Sequence, residues 1–487
     1  MSTALEQALD LCDRAVSLAP SRATEIGVVR QRAQGPLRVA LAGRVKAGKS
    51  TLLNALVGER LAATDAGECT RIVTWFQDGS GYDVQALLSD GSRVAIPFRR
   101  VDGALQLQLD GLDADQVTRL EVTWPSARLR SITLIDTPGL ASLDDRNSLR
   151  TREFLAMGED RPADADAVIY LMRHLHRADA EFLGAFLDRS VSASSPVNAV
   201  AVLARADEIG ACRLDAMTSA ARIASRYQAD PVLRSLCTHV TAMAGLLAET
   251  GLTLREDEAN ALRTLAQTPS AELDAMLLSV DAFCEPASSE LTVEMRRALL
   301  ERLGLYGLRL VVQELVAARA GTATELSRVL LAASGLDALR ALIDGHFLPR
   351  AQTLKARSAL AALRDVARSL AADDPAGARA LDAEIERVEA AIPDFAELRT
   401  THLVLSGAVI LSAAETAEVE LACTPGATDS TRLGIDEGST AEVRRQAALL
   451  AVGRWRTRAS DPLNDSATNE VCETMARTFE GIYAAAV

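Results

Sequence analysis

A glycine-rich turn, entered by an apolar run and left by a helix-forming one, constrains this chain more than any other feature. The stretch Leu41 to Gly58, "LAGRVKAGKSTLLNALVG", contains Gly43-Arg-Val-Lys-Ala-Gly48-Lys49-Ser50 and so satisfies G-x-x-x-x-G-K-[ST] in full. The pattern has a physical meaning. Its glycines let backbone N–H groups face a phosphate, the lysine bridges the β- and γ-phosphates, and the following hydroxyl ligates Mg²⁺. Ala47 and Thr51 lie on the same cradle. "LRVALAG" reads as the strand before the turn and "STLLNALVG" as the helix after it, so the helix N-terminus adds its dipole to the site. Such a turn belongs at the carboxyl edge of a largely parallel sheet.

The rest of the chain supplies that sheet. Strand-like runs recur at "RIVTWFQ" (71–77), "RLEVTWP" (119–125), "SITLID" (131–136), "AVIYLM" (167–172), "NAVAVLA" (198–204) and "THVTAM" (238–243), with helix-length stretches between most of the later ones. Apolar strands alternating with helices predict an α/β domain with a mainly parallel sheet and helices on both faces, over residues 36–250. Ahead of it, in residues 1–35, Leu5, Leu9, Cys12 and Val16 form one stripe of an amphipathic helix that Pro20 ends. From about Asp257 strand signals nearly vanish. Leu381, Ile385, Val388 and Ile392 form a helical stripe, as do Val471, Met475, Phe479 and Ile482. Breakers at Ser334-Gly335 and Asp374-Pro375 separate the helices, "CTPGATDSTRLGIDEGS" (423–439) reads as a polar loop, and Ser439 to Glu442 has capping-box spacing. Residues 251–438 and 439–487 are therefore expected to form an elongated all-α bundle.

Bulk properties exclude several classes. A chain of 487 residues exceeds one hydrophobic core and implies two to three domains. Only 3% of it is aromatic, and the Ala- and Leu-rich remainder favours helix. With 52 basic against 66 acidic residues, the formal charge of −14 has the wrong sign for a non-specific nucleic-acid binder. The seven cysteines include no C-x-x-C pair, which argues against zinc and fits reduced thiols. Glu6 and Asp10 stand where a signal peptide needs positive charge. The apolar stretch "HLVLSGAVILSAA" (402–414) is shorter than the roughly 20 residues a bilayer-spanning helix takes. The expectation is a cytoplasmic protein that touches a membrane only peripherally.

Three further motifs follow the glycine turn. "SITLIDTPGL" delivers Asp136 to a strand's carboxyl end, where an acid holds Mg²⁺ through water and Gly139 offers an N–H to a γ-phosphate. In "TDAGECTRIVTWF", Thr70 is placed to set a hydroxyl on Mg²⁺; the residues alone leave it open between that role and an ordinary loop threonine. In "VLARADEIG", Asp207 can accept both N–H groups of guanine, a bidentate contact adenine cannot make, with the Arg205 stem against the ring; an ordinary surface aspartate is the alternative. Thr241 and Ala242 of "HVTAMAG" complete the set on the base side.

This order of motifs is that of a guanine-nucleotide-binding domain, and with a long helical tail and a helix in front the chain resembles the dynamin-like large GTPases. "ECTRIVTWF" (68–76), "ARADEIG" (204–210), "LLERLGLYGLRL" (299–310), "SGLDALR" (334–340) and "DPLND" (461–465) are similar to actinobacterial members, and the likeness extends over essentially the whole chain. It implies a GTPase head on a helical neck and trunk, with residues 5–19 packing against 440–487. It also implies binding of GTP and GDP with Mg²⁺, and metal contacts from Ser50, Thr70 and Asp136. The nucleotide would lie on Gly43, Lys46, Ala47, Gly48, Lys49, Ser50, Thr51, Asp136, Gly139, Arg205, Asp207, Thr241 and Ala242. Heads would pair as homodimers or with a paralogous dynamin-like protein, and the assembly would remodel the inner face of the plasma membrane. The chain departs from the family at Ala204, where Asn or Thr normally ties the base motif to the glycine turn. It departs again at Val45 and Lys46, which replace small polar residues and leave no glutamine to orient water. Lys46, with Lys49 and Thr70, is a candidate catalytic group: its ammonium can stand in for the monovalent cation that neutralises phosphate charge in dynamins. A regulatory partner that binds nucleotide poorly and acts through a catalytic paralogue is the competing reading. A ribosome-assembly GTPase would want a basic RNA-binding domain, which the acidic tail does not offer.

Overall fold

In the computed structural model the described residues are 3–62, 72–101, 104–108, 112, 116–138, 165–174, 198–285 and 290–486. Among them nine strands form one sheet. In chain order these are β1 (Leu37–Gly43), β2 (Thr74–Gln77), β3 (Asp83–Leu88), β4 (Arg93–Ala95), then β7 (Val117–Thr123), β8 (Ile132–Asp136), β9 (Ala167–Met172), β10 (Ala199–Ala204) and β11 (His239–Met243), while β5 (Phe98–Val101) and β6 (Ala104–Leu107) pair separately as a hairpin. The spatial order is β11-β10-β9-β1-β8-β2-β7-β3-β4. β1 runs parallel to both neighbours, with Leu41 opposite Asp136 on β8 and opposite Ile169 on β9, and β9, β10 and β11 continue in parallel. β2 turns the direction, antiparallel to β8 and parallel to β7, and β3 and β4 extend the antiparallel side.

Burial explains this layout. β9 and β10 are apolar and buried at every position, as strands covered on both faces must be. Leu53 and Leu56 of the helix after the glycine turn, α1 (Lys49–Val57), join Val39, Leu41 and Leu134 in one core. That core also takes in Leu336, Leu339, Ile343, Phe347 and Leu354. The boundary expected at residue 250 falls inside the helix Gly245–Thr253, and the chain to about residue 354 packs on the head. A second helical layer, residues 256–330, is built on Leu262, Leu303 and Leu308 against Leu247 of the head.

The N-terminal helix Ala4–Leu18 is capped by Thr3 and Glu6. It buries Ala4, Ala8, Leu11, Cys12 and Ala15, one position away from the expected stripe, and Val16 is exposed. Its core partners are Leu360, Leu363, Leu381 and Ile385 of the helices Ala351–Leu370 and Pro375–Ala391. This corrects the expected packing against 440–487. The last two helices, Ala441–Ala459 and Ser466–Ala485, instead build their own core with helix Pro393–Leu405, burying Trp455, Val471, Met475, Phe479 and Ile482. Helix Ala441–Ala459 is capped by Thr440, not Ser439. Deleting residues 1–19 is expected to uncover four fully buried aliphatics, each worth about 1.5–3 kcal/mol when buried. The truncated chain should melt lower and self-associate. An unchanged melting temperature with a monomeric elution profile would contradict this packing.

Candidate nucleotide site

The site forms where β1 delivers the chain to the sheet's carboxyl edge. Gly43 has φ 148°, and a Cβ there would stand 2.4 Å from the carbonyl oxygen of Leu171 on β9, so only glycine lets the two strands approach. Gly48, at φ 99°, sits immediately before α1, whose first N–H groups are left for an anion. Lys46 also takes a left-handed conformation, φ 62°, and is exposed on the turn.

Lys49 is buried, with Nζ donating to the carbonyl oxygens of Gly43 at 3.1 Å and Arg44 at 3.3 Å. Burial lowers its pKa, and the facing Asp136 carboxylate pulls the other way. The Ser50 hydroxyl donates to Asp136 Oδ2 at 2.9 Å. Burial raises the pKa of Asp136 against the opposing pull of Lys49 and Ser50. Asp136 Oδ1 is buried and has no hydrogen-bond partner among the described residues. Thr137, whose hydroxyl donates to the Leu41 carbonyl at 2.8 Å, fixes the chain just beyond. A half-buried hydroxyl and a carboxylate with a spare lone pair form an oxygen-only donor pair that suits a small hard cation, and the adjoining ammonium suits the phosphates beside it. No cluster of three or more His, Cys, Asp or Glu that could hold a metal ion occurs among the described residues. Thr70 and Gly139 lie outside the described residues.

A cavity of about 260 Å³ opens beside the turn. Ala47, Gly48 and Thr51 form its phosphate-side wall, and Leu171 and Val202 its floor. Ala204, Arg205 and Asp207 face them after β10. Asp207 is 7% exposed, and burial pushes its carboxyl up to about 6, with Glu208 adding to the rise and Arg205 and Arg173 opposing it. Arg205, at φ 53°, donates to Glu208 at 2.7 Å and lies along the rim. At the end of β11 and just beyond it the wall comes from Met243, Gly245 and Leu246, while the expected Thr241 and Ala242 lie earlier in the strand and do not line the cavity.

One wall escaped the sequence reading. The helix Val293–Val316 breaks at Gly304 (φ 62°, ψ 175°), and its Glu301 lines the cavity. A Cβ at Gly304 would stand 3.6 Å from both Asp207 Oδ2 and the Leu246 side chain. The signal was present in "LLERLGLYGLRL", since a glycine inside an apolar helix costs stability and needs a packing reason.

Residues 39–202 match the dynamin family. Isoniazid-induced protein IniC of Mycobacterium tuberculosis (strain CDC 1551 / Oshkosh) is 41% identical over 455 residues, covering 92% of this chain and 90% of that one. A bacterial dynamin-like protein of Nostoc punctiforme is 32% identical over 127 residues, 24% of this chain and 18% of that protein. A solved structure of an oligomerised bacterial dynamin pair aligns with 100% of this chain and 75% of its own, at 12% identity and a TM-score of 0.35. The identity to IniC over 92% of the chain and the glycine turn, Ser50–Asp136 pair and buried Asp207 agree: this chain belongs to the dynamin family, as a bacterial dynamin-like GTPase similar to IniC.

Proposed function

We propose that the chain binds and hydrolyses GTP with Mg²⁺ and couples the bound nucleotide to rearrangement of its helices, to assembly with itself or a paralogue, and to membrane remodelling. The observation that carries the hydrolytic part is the trio of buried Lys49 and half-buried Ser50 and Asp136, in which the Asp136 Oδ1 atom is buried with no hydrogen-bond partner among the described residues. Lys49 exchanges the Gly43 and Arg44 carbonyls for phosphate oxygens, which gives the buried ammonium anionic hydrogen-bond partners in place of carbonyl dipoles. Ser50 and Asp136, with Thr70 from the preceding segment, hold Mg²⁺, Asp136 through water. When bound, the metal neutralises charge building on the β- and γ-phosphates. Gly139 offers its N–H to the γ-phosphate, and Asp207 accepts from guanine. Multiple-turnover hydrolysis of GTP, measured with and without liposomes, tests the reading: turnover of GTP but not ATP is expected, and no turnover in either condition overturns it.

Support for peripheral membrane contact lies in Ile410 and Leu463, 86% and 91% exposed. Their loops adjoin where Arg458 pairs with both Glu415 and Asp461. No helix among the described residues is long and apolar enough to cross a membrane. The regulatory-partner reading draws on Ala204, which carries no polar side chain from the base loop toward the glycine turn. It requires that turnover appear only when a paralogue is added.

Lys46 is exposed on the glycine turn, the position of a lysine that points to solvent or to a partner chain, and a role as built-in cation has it close over the phosphates when nucleotide is bound. As a built-in cation it makes hydrolysis insensitive to replacing potassium by a large inert cation at fixed ionic strength. Lys46→Ser is then slow and regains rate with added potassium, by on the order of tenfold or more, as expected for a point charge at the transition state. A wild-type protein that already needs potassium eliminates the role.

A further inference from the structure

The loop that carries Asp207 is held in an unfavourable conformation by a part of the chain far away in sequence. After Asp207 the backbone passes through Gly210 (φ 62°), Ala211 (φ 59°) and Cys212 (φ 59°), successive residues in the left-handed region, two of which carry a Cβ. Such a run does not persist without contacts that over-determine it. Those contacts come from Arg309 on helix Val293–Val316. Its Nη1 donates to the carbonyl oxygens of Ala211 at 2.9 Å and Cys212 at 2.7 Å. The rest of the fork reaches the end of helix Ser270–Met276, with Nε and Nη2 donating to the Leu277 carbonyl at 3.0 and 2.7 Å and Nη2 to that of Leu278 at 3.1 Å. A planar, permanently charged fork is suited to bridging carbonyls from two segments, and a cation complements the carbonyl end of a helix.

The same helix is itself anchored. Arg302 donates to Glu258 at 2.8 Å and to the Thr253 carbonyl at 3.1 Å. Between the two arginines, Gly304 breaks the helix beside Asp207, at a φ/ψ that is essentially restricted to glycine. Glu301 faces the cavity just before the break.

We propose that Arg309 and Gly304 are positioning residues of the guanine site: the arginine fork clamps the left-handed turn at 210–212, and the break at Gly304, in a conformation that residues with a Cβ do not readily adopt, sets the helix against Asp207. Base recognition is thereby tied to the helical region through one helix. This rests on the reading of Asp207 as the guanine acceptor.

The test compares GDP with ADP, which share every phosphate contact and differ at the base. In wild type GDP binds more tightly. Arg309→Gln, and Gly304→Ala separately, should lower the GDP-over-ADP preference at least tenfold while leaving the weak ADP affinity unchanged. Equal loss of both affinities, or an unchanged preference in a folded variant, overturns the positioning role and leaves the guanine reading standing. A wild type that binds both equally removes the guanine reading and this proposal with it. Should the variants fail to fold, hydrogen exchange on the wild-type chain decides. GDP, and not ADP, should protect 205–212 together with 272–279 and 305–312, and protection confined to 205–212 overturns the clamp.

Discussion

Lys49→Ala is expected to abolish measurable GTP turnover, lowering kcat by at least a hundredfold to a thousandfold, the scale seen when one preorganised charge-stabilising donor is removed. The buried ammonium is the cationic side chain placed over the glycine turn, held by the Gly43 and Arg44 carbonyls. Its burial has a second consequence that separates a catalytic from a structural role. Burial lowers the pKa of Lys49, so the nucleotide-free fold bears a desolvation penalty for that charge. Alanine removes the penalty, and the free protein should melt no lower than wild type. The added stability that GTP or GDP confers should shrink, because it scales with the logarithm of ligand concentration over Kd. A variant that hydrolyses GTP at near wild-type rate would show that chemistry occurs elsewhere. One that melts far below wild type without ligand would assign Lys49 to the fold instead.

The nucleotide machinery was legible because its chemistry forces both residue type and spacing. Gly43 and Gly48 occupy left-handed φ values that few other residues tolerate, so the pattern in the sequence mirrors a backbone constraint. β1 and β8 to β10 were legible because strands within a two-sided sheet read as largely apolar runs, and β11, half-buried at the sheet edge, as a shorter one. The strands β3 and β4 lie at one edge and β5 and β6 form a separate hairpin; Arg93, Arg99 and Arg100 are exposed on them, and positions such as Val84, Ala86 and Leu105 are covered. Segments that short and polar carry no signal above that of a loop. Helix partners were opaque for another reason. The N-terminal helix buries alanines at 4, 8 and 15, whose small side chains let neighbouring helices approach closely. Their period reveals that a face is covered and says nothing of what covers it. The same limit hid the base-side wall: Glu301 lies close to 100 residues beyond Asp207, and only the fold brings them to one cavity.

Asp207→Asn should move the preference from GTP toward xanthosine triphosphate. A carboxylate accepts from guanine N1–H and from the exocyclic amine together, whereas an amide offers one acceptor and one donor, the complement of xanthine's N–H and carbonyl. Each hydrogen bond to a charged acceptor is worth about 1.5–3 kcal/mol, so losing one outright lowers guanine affinity by about tenfold to a hundredfold, and neutralising the acceptor of the other adds to the loss. The buried setting of Asp207 adds a pH signature. Burial pushes its carboxyl up to about 6, so in the free protein the proton is retained well above the ordinary carboxylate range. Only the ionised form can accept both N–H groups, so binding is linked to proton release. The sign follows: guanine-nucleotide affinity is full above pH 7, falls through pH 6, and drops about tenfold for each further unit of acid. Phosphate protonation in the ligand also acts in this range, and the Asp207→Asn variant isolates it because that side chain does not titrate. The difference between the wild-type and variant profiles should therefore be flat above pH 7 and bend once near pH 6. A wild-type profile that parallels the variant's from pH 5 to 8, or a variant that still favours GTP, would remove Asp207 from the base contact.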